Sequence, residues 1–372
     1  MDKLRNKPMK KVNLNTLLVW QKRLGFSVGM LCFAIYMLFV YYANQNEVVF
    51  LPKKETPVIF YSNQTGDNLK AIVKAALKNA KTSISLMIFS LTDYEIIDLL
   101  KEKADEGVQV LVICDAQATP DIEWKLGSNI KICKRRDKGL MHQKLLVIDH
   151  VQTYLGSTNF TRESFLLHAN LLIGIDSQPL SAMIEKKAHA IQEKQKWKAP
   201  VIKIREKEGA ANKEKEGEID FYFLPDEPAA LDRLLKTIES AKKSVKVAMY
   251  TFTHPKLSQA LIDAKKRGVH VEVVMDNDSA KQTSRKVFLQ LKREKVNVAL
   301  SARAGLLHYK FVIVDDELLA TGSANWTKAA FTANDDNICF INPLTDVQKA
   351  KLKEIWDAVK KESKPSFTSS KS

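Results

Sequence analysis

One polar pattern is written twice in this chain, and the repetition limits what the chain can fold into. His142-Gln-Lys144-Leu-Leu-Val-Ile-Asp149 is followed by Gly156-Ser157-Thr-Asn159. His308-Tyr-Lys310-Phe-Val-Ile-Val-Asp315 is followed by Gly322-Ser323-Ala-Asn325. The spacings are identical: two residues from His to Lys, five from Lys to Asp, seven from Asp to Gly and three from Gly to Asn. A repeated unit of this length implies two like halves. Two copies of one polar set predict two half-sites that build a single reaction centre.

The duplication reaches beyond the pattern. Residues 80–92 resemble 241–253, Phe60-Tyr61 pairs with Phe221-Tyr222, Gly107-Val108 with Gly268-Val269, and Asp115 with Asp276, all at an offset of 161. At the histidines the offset is 166, so the second half gains five residues between Asp276 and His308. A chain of 372 residues holds two such halves comfortably.

Each half alternates strand-like and helix-like segments. In the first, 58–61, 83–89, 108–114, 130–133, 144–149, 153–156 and 170–175 read as strands. Residues 68–79 have helical periodicity, with Leu69, Ile72, Val73, Ala76 and Leu77 on one face. Residues 94–104 and 180–196 read as further helices, the former closed by Gly107. Apolar runs such as Leu145–Ile148 suit strands covered on both faces. The predicted class is α/β: a duplicated domain, with a mixed sheet flanked by helices in each half. The first repeat is expected over 56–200 and the second over 219–362. The highly charged stretch 201–218 reads as an exposed linker, and 363–372 as a disordered Ser/Lys-rich tail.

Residues 24–43 form an uncharged run of 20, long enough to cross a hydrocarbon core of about 30 Å as a helix. Residues 1–23 carry seven basic side chains against one acid, which predicts a cytoplasmic N-terminus and an exported body. The run exceeds a usual signal-peptide core and lacks a small-residue cleavage site, so an uncleaved single-pass anchor is expected. The formal net charge of +15 is concentrated partly in this leader, so charge alone does not establish nucleic-acid binding. Four cysteines without a CxxC or Cys/His cluster give neither a disulfide framework nor a zinc site.

In a strand, residues two apart share a face, so His142 stands beside Lys144 and His308 beside Lys310. Gly allows close backbone approach, and Ser and Asn add neutral donors. A nucleophile or acid, a cation and neutral donors together suit a phosphoryl group. One HxK alone would carry no information. Six polar positions recurring at fixed spacing do.

The doubled HxKxxxxD and GSxN pattern resembles the phospholipase D superfamily, over nearly all of residues 56–360. The resemblance implies that the two halves pack about a pseudo-two-fold axis, that both motifs meet in one active site and that no metal or other cofactor is needed. It implies a covalent phosphohistidine, with His142 as nucleophile and His308 as the acid that protonates the leaving alcohol and then activates water. Lys144, Lys310, Asn159 and Asn325 would hold the phosphate oxygens, assisted by Ser157 and Ser323. Asp149 and Asp315 complete the catalytic motif, in a structural rather than reactive part. Such proteins carry an acid just before an Asn downstream of GSxN, which orients the catalytic His. Here the second half has Asp336-Asn337 and the first has Ala169-Asn170, so the halves differ. His168 reads as an ordinary polar residue. The anchor places phospholipid within reach and favours it as substrate. The alternatives are a metal-independent nuclease acting on DNA or RNA, and a cardiolipin synthase-like phosphatidyltransferase.

Overall fold

The computed structural model describes residues 28–38, 49–136, 138–193, 195, 203–206 and 217–365. Two units separate: residues 1–49, and a compact body from Phe50 onward. In the first unit, residues 28–38 form an exposed helix. The expected anchor at 24–43 runs past the described residues at both ends. Among the described residues no helix is long and apolar enough to cross a membrane.

The body is built on two mixed sheets. The first half supplies β1 (Val58–Ser62), β2 (Ser83–Ile88), β3 (Gln109–Asp115), β4 (Lys131–Arg135), β5 (Lys144–Ile148), β6 (Gln152–Gly156) and β7 (Leu171–Asp176), in the order β1-β7-β6-β5-β2-β3-β4. The second supplies β8 (Lys203–Glu206), β9 (Gly217–Leu224), β10 (Ser244–Met249), β11 (His270–Met275), β12 (Asn297–Ser301), β13 (Lys310–Val314), β14 (Leu318–Gly322), β15 (Asp336–Asn342) and β16 (Ser363–Pro365). Its order is β16-β12-β11-β10-β13-β14-β15-β9-β8. The duplication is visible in the register. Ser83 faces Gln109 across the parallel β2–β3 pair, and Ser244 faces His270 across β10–β11.

The elements follow local chemistry. Leu69–Asn79 is a helix capped by the Asn68 side chain, with Leu69, Ile72, Val73, Ala76 and Leu77 as its buried face. Tyr94–Asp105 is capped by Asp93 and ends before Gly107 at φ +91°. One apolar cluster joins the halves: Leu145 and Val147 of β5, Phe311 and Ile313 of β13, Leu180 and Ile184 of the helix Gln178–Gln192, and Ile355 and Trp356 of the helix Asp346–Lys361. The alternate residues Val312 and Val314 belong to a second cluster, under the outer helices of the second half. Strands buried on both faces therefore read as unbroken apolar runs.

Two expectations change at the edges. The charged stretch 201–218 is not wholly a linker, because β8 pairs antiparallel with β9 from Lys203↔Asp220 to Glu206↔Gly217. The expected tail begins as a strand, with Ser363 opposite Ser301 and Pro365 opposite Ala299. Outermost strands pair through the backbone and need no apolar side chains, so hydrophobic patterning misses them. The remaining residues of both segments lie outside those described.

Candidate active site

The site forms where the two halves cross. The segment entering β5 carries His142, and the segment entering β13 carries His308. Each runs alongside the opposite half. His142 N–H donates to the Asp335 carbonyl (2.8 Å) and Asp335 N–H to the Leu140 carbonyl (2.8 Å). On the other side, His308 N–H donates to the Ala169 carbonyl (3.0 Å) and Ala169 N–H to the Leu306 carbonyl (2.8 Å). Gly139 and Gly305 permit this approach: a Cβ on Gly139 would overlap the Ala333 carbonyl, and one on Gly305 the Leu167 carbonyl. Asp115, the last residue of β3, and Asp276, which follows β11, fix the same segments, accepting from Met141 N–H (3.1 Å) and Leu307 N–H (3.0 Å).

The crossing delivers each histidine to a partner from the other half. His142 Nδ1 lies 2.8 Å from Asp336 Oδ1, and His308 Nδ1 lies 3.0 Å from Asn170 Oδ1. An amide oxygen only accepts, so His308 carries its proton on Nδ1 and, while neutral, keeps its lone pair on Nε2. Burial pushes the Asp336 carboxyl up, but His142, Ser323 and Lys144 together hold it below the usual carboxylate range. His142 therefore also donates through Nδ1, leaving Nε2 for chemistry. The Ser157 and Ser323 hydroxyls, expected at a phosphate, are used one step back. Ser157 donates to Asn170 Oδ1 (2.8 Å) and Ser323 to Asp336 Oδ1 (2.6 Å), so each serine braces the group that orients a histidine.

This geometry also corrects the register of the acid. Asp336 and Asn170 accept from the same pair of groups, and 166 residues separate them, as they separate the histidines. The first-half equivalent of Asp336 is thus Asn170, not Ala169. The signal was present in the sequence: the offset at the histidines, carried downstream, finds it.

Lys144 and Lys310 are buried beside their histidines. Each ammonium donates back to the preceding histidine's carbonyl, at 2.6 Å and 2.7 Å, and lies over an aromatic ring, Phe89 at 5.2 Å and Tyr250 at 5.0 Å. The same rings stand 5.2 Å from His142 and 5.1 Å from His308. Phe89 and Tyr250 are equivalent residues of the duplication that the sequence reading did not assign to the site. Burial brings Lys144 down to about 7, against the pull of Asp336 and Asp115. Burial and the Lys144 charge carry Lys310 well below its ordinary value. Burial and the neighbouring lysines lower both histidines, His308 further because Asn170 brings no charge. The two lysines and two histidines share little negative charge, and a bound anion would raise all four groups. Asn325 accepts from Thr251 N–H through Oδ1 (3.3 Å), which leaves its Nδ2 as a donor. Asn159 is half-buried at the equivalent place.

Asp149 and Asp315, the last residues of the expected catalytic motif, lie at the far ends of β5 and β13, about 17 Å along the strand from the lysines. Asp149 accepts from the backbone N–H groups of Lys81, Thr82 and Ser83, and Asp315 from those of Lys242, Lys243 and Ser244. They close turns and touch no reacting atom.

The family described as cardiolipin synthase, PLD-like domain, matches residues 73–191 and 234–356. The mitochondrial cardiolipin hydrolase of Xenopus laevis is 35% identical over 137 residues, 36% of this chain and 64% of that protein. A phospholipase D of Rickettsia bellii is 35% identical over 104 residues, 28% of this chain and 51% of that one. The chain thus spans less than two thirds of the length of these relatives. The phosphatidylserine synthase of Haemophilus influenzae shares the fold, with a TM-score of 0.64 at 15% identity over 87% of this chain and 90% of that one. The two family matches fall one in each half, either side of the crossing that unites both histidines, and the chain belongs to this PLD-like domain family.

Proposed function

We propose that the chain is a metal-independent phosphodiesterase that hydrolyses phospholipid through a phosphohistidine. The two repeats, residues 56–200 and 219–362, would act together behind a single-pass anchor at 24–43, with the N-terminus cytoplasmic and the body on the opposite side. The observation that carries the reading is the crossed pairing of His142 with Asp336 and His308 with Asn170, inside a buried centre with two lysines. His142 Nε2 attacks phosphorus. Its ring then bears a positive charge, which Asp336 stabilises through Nδ1–H. His308, once the bound diester raises its pKa, gives its Nε2 proton to the departing alkoxide. It lacks a carboxylate partner, so it parts with that proton readily. In the second step it takes a proton from water, which attacks the phosphohistidine and releases His142. Lys144, Lys310, Asn159 and Asn325 hold the phosphate oxygens.

Phospholipid is favoured by the names of the curated relatives and by the anchor, which would hold head groups at high local concentration. The test is to assay the purified full chain in parallel against phospholipid vesicles and single-stranded DNA, with excess EDTA in one arm. Vesicle hydrolysis that survives EDTA, with a 32P label from the phosphoryl group trapped on His142, is expected. Cleavage of DNA alone, label on His308, or loss of activity restored by metal would each overturn a named part.

A further inference from the structure

The two sides of the centre are not alike. On the His142 side the aromatic wall is Phe89, and the residue two before Asp336 is Asn334, whose Oδ1 accepts from Leu140 N–H at 3.1 Å. That bond ties the crossing segment and uses the side chain. On the His308 side the wall is Tyr250, and the residue two before Asn170 is His168, whose ring lies 6.0 Å from that of His308. Among the described residues, the His168 ring has no hydrogen-bond partner. The structural work at this position is done by its backbone, whose carbonyl accepts from Asn63 Nδ2 (2.6 Å) and Asn170 Nδ2 (3.3 Å). The side chain is half-buried, beside the acid histidine, and free of the tie that its counterpart makes.

We propose that His168 is a specificity residue that binds a hydroxyl group of the leaving alcohol. This rests on the phospholipid reading and names the substrate more closely, as a lipid with a polyol head group. The leaving oxygen takes its proton from His308, so the rest of the alcohol extends on that side. With its ring centre 6.0 Å from that of His308, His168 stands within reach of a hydroxyl group next to the oxygen that His308 protonates. Neutral imidazole offers one donor and one acceptor, as a hydroxyl does. Burial lowers the His168 pKa, which keeps the ring neutral at neutral pH. Tyr250, raised by burial, stays protonated and adds a hydroxyl that Phe89 lacks. Phosphate charge is already met by Lys144 and Lys310, so His168 is left to read the alcohol.

The test compares vesicles containing equal mole fractions of phosphatidylglycerol or phosphatidylpropanol, which share a charge and differ in head-group hydroxyls. A p-nitrophenyl phosphodiester serves as the third substrate. Wild type should prefer phosphatidylglycerol by about 10-fold in kcat/KM, the worth of one or two hydrogen bonds. His168→Leu should erase that preference and leave the p-nitrophenyl ester within about 2-fold. His168→Gln, which keeps a donor and an acceptor, should retain part of it. An unchanged preference in His168→Leu, or equal losses on all three substrates in both variants, overturns the assignment alone. A wild type that cleaves the p-nitrophenyl ester and neither lipid overturns the phospholipid reading and this assignment with it.

Discussion

Asp336 and Asn170 occupy equivalent places and differ by one atom, and local hydrogen bonding explains why. Asn170 Nδ2 donates to the Ser164 carbonyl (2.8 Å) and Ser164 Oγ (3.1 Å). A carboxylate there would set its second oxygen against that carbonyl, so the first half requires an amide. Asp336 makes its side-chain hydrogen bonds through Oδ1, to His142 and Ser323, and its Oδ2 has no hydrogen-bond partner among the described residues. The consequence is testable through pH. The Asp336 charge raises the His142 pKa against burial and Lys144. In the proposed mechanism His142 must be neutral to attack, so activity should fall as pH drops through its pKa. Asp336→Asn keeps an oxygen acceptor, as Asn170 shows, but removes the charge. The acid limb of kcat/KM should therefore move to lower pH, with a plateau loss of about 10- to 100-fold, while Asp336→Ala loses orientation too and falls further. An acid limb that does not move in Asp336→Asn would sink the assignment of His142 as the group titrating there.

Strand β5 separates two kinds of residue that the sequence places in one motif. Lys144 begins the strand at the centre, and Asp149 follows its far end. Asp149 adopts φ +52° and accepts from three consecutive backbone N–H groups, which hold its carboxyl below the usual range despite partial burial. Asp149→Ala should destabilise the fold by about 1.5–3 kcal/mol and leave kcat of the folded enzyme within about 2-fold. The lowered pKa fixes the sign of the linkage. The contribution is present in full above the unfolded-state value near 4 and disappears as pH falls through the lower folded value, so the variant and wild type should converge in urea titrations only in strong acid. The elements show what a sequence reveals and what it hides. Buried strands and one-faced helices announce themselves through periodicity, as Leu69–Asn79 does. Edge strands β8 and β16 depend on backbone pairing and carry no such signal. Asp149 recurred at fixed spacing with the lysines, yet spacing along a strand cannot tell the end that meets substrate from the end that closes a turn. Contacts across the crossing are hidden for another reason: no periodicity links His142 to a residue 194 positions away.

At the scale of the whole body, the crossing makes the centre indivisible. Each histidine takes its orientation from the other half, and each orienting group is braced by a serine of its own half, so neither repeat holds a finished site. His142→Ala and His308→Ala should each lower turnover by several orders of magnitude, and a variant keeping about half of wild-type activity would instead mean two independent centres. The stronger test is a double-mutant cycle across the crossing. If Asp336 acts through His142, Asp336→Ala should add nothing once His142 is already Ala. The competing route runs through Lys144, whose charge Asp336 also supports. If that route mattered, the double variant would bind a phosphate-bearing ligand more weakly than His142→Ala alone, since the lysine would lose the carboxylate that most supports its charge. Residual activity and inorganic phosphate affinity, measured together, separate the two. Equal affinity in single and double variants assigns Asp336 to the attacking histidine, and weaker affinity in the double variant moves its main duty to the lysine.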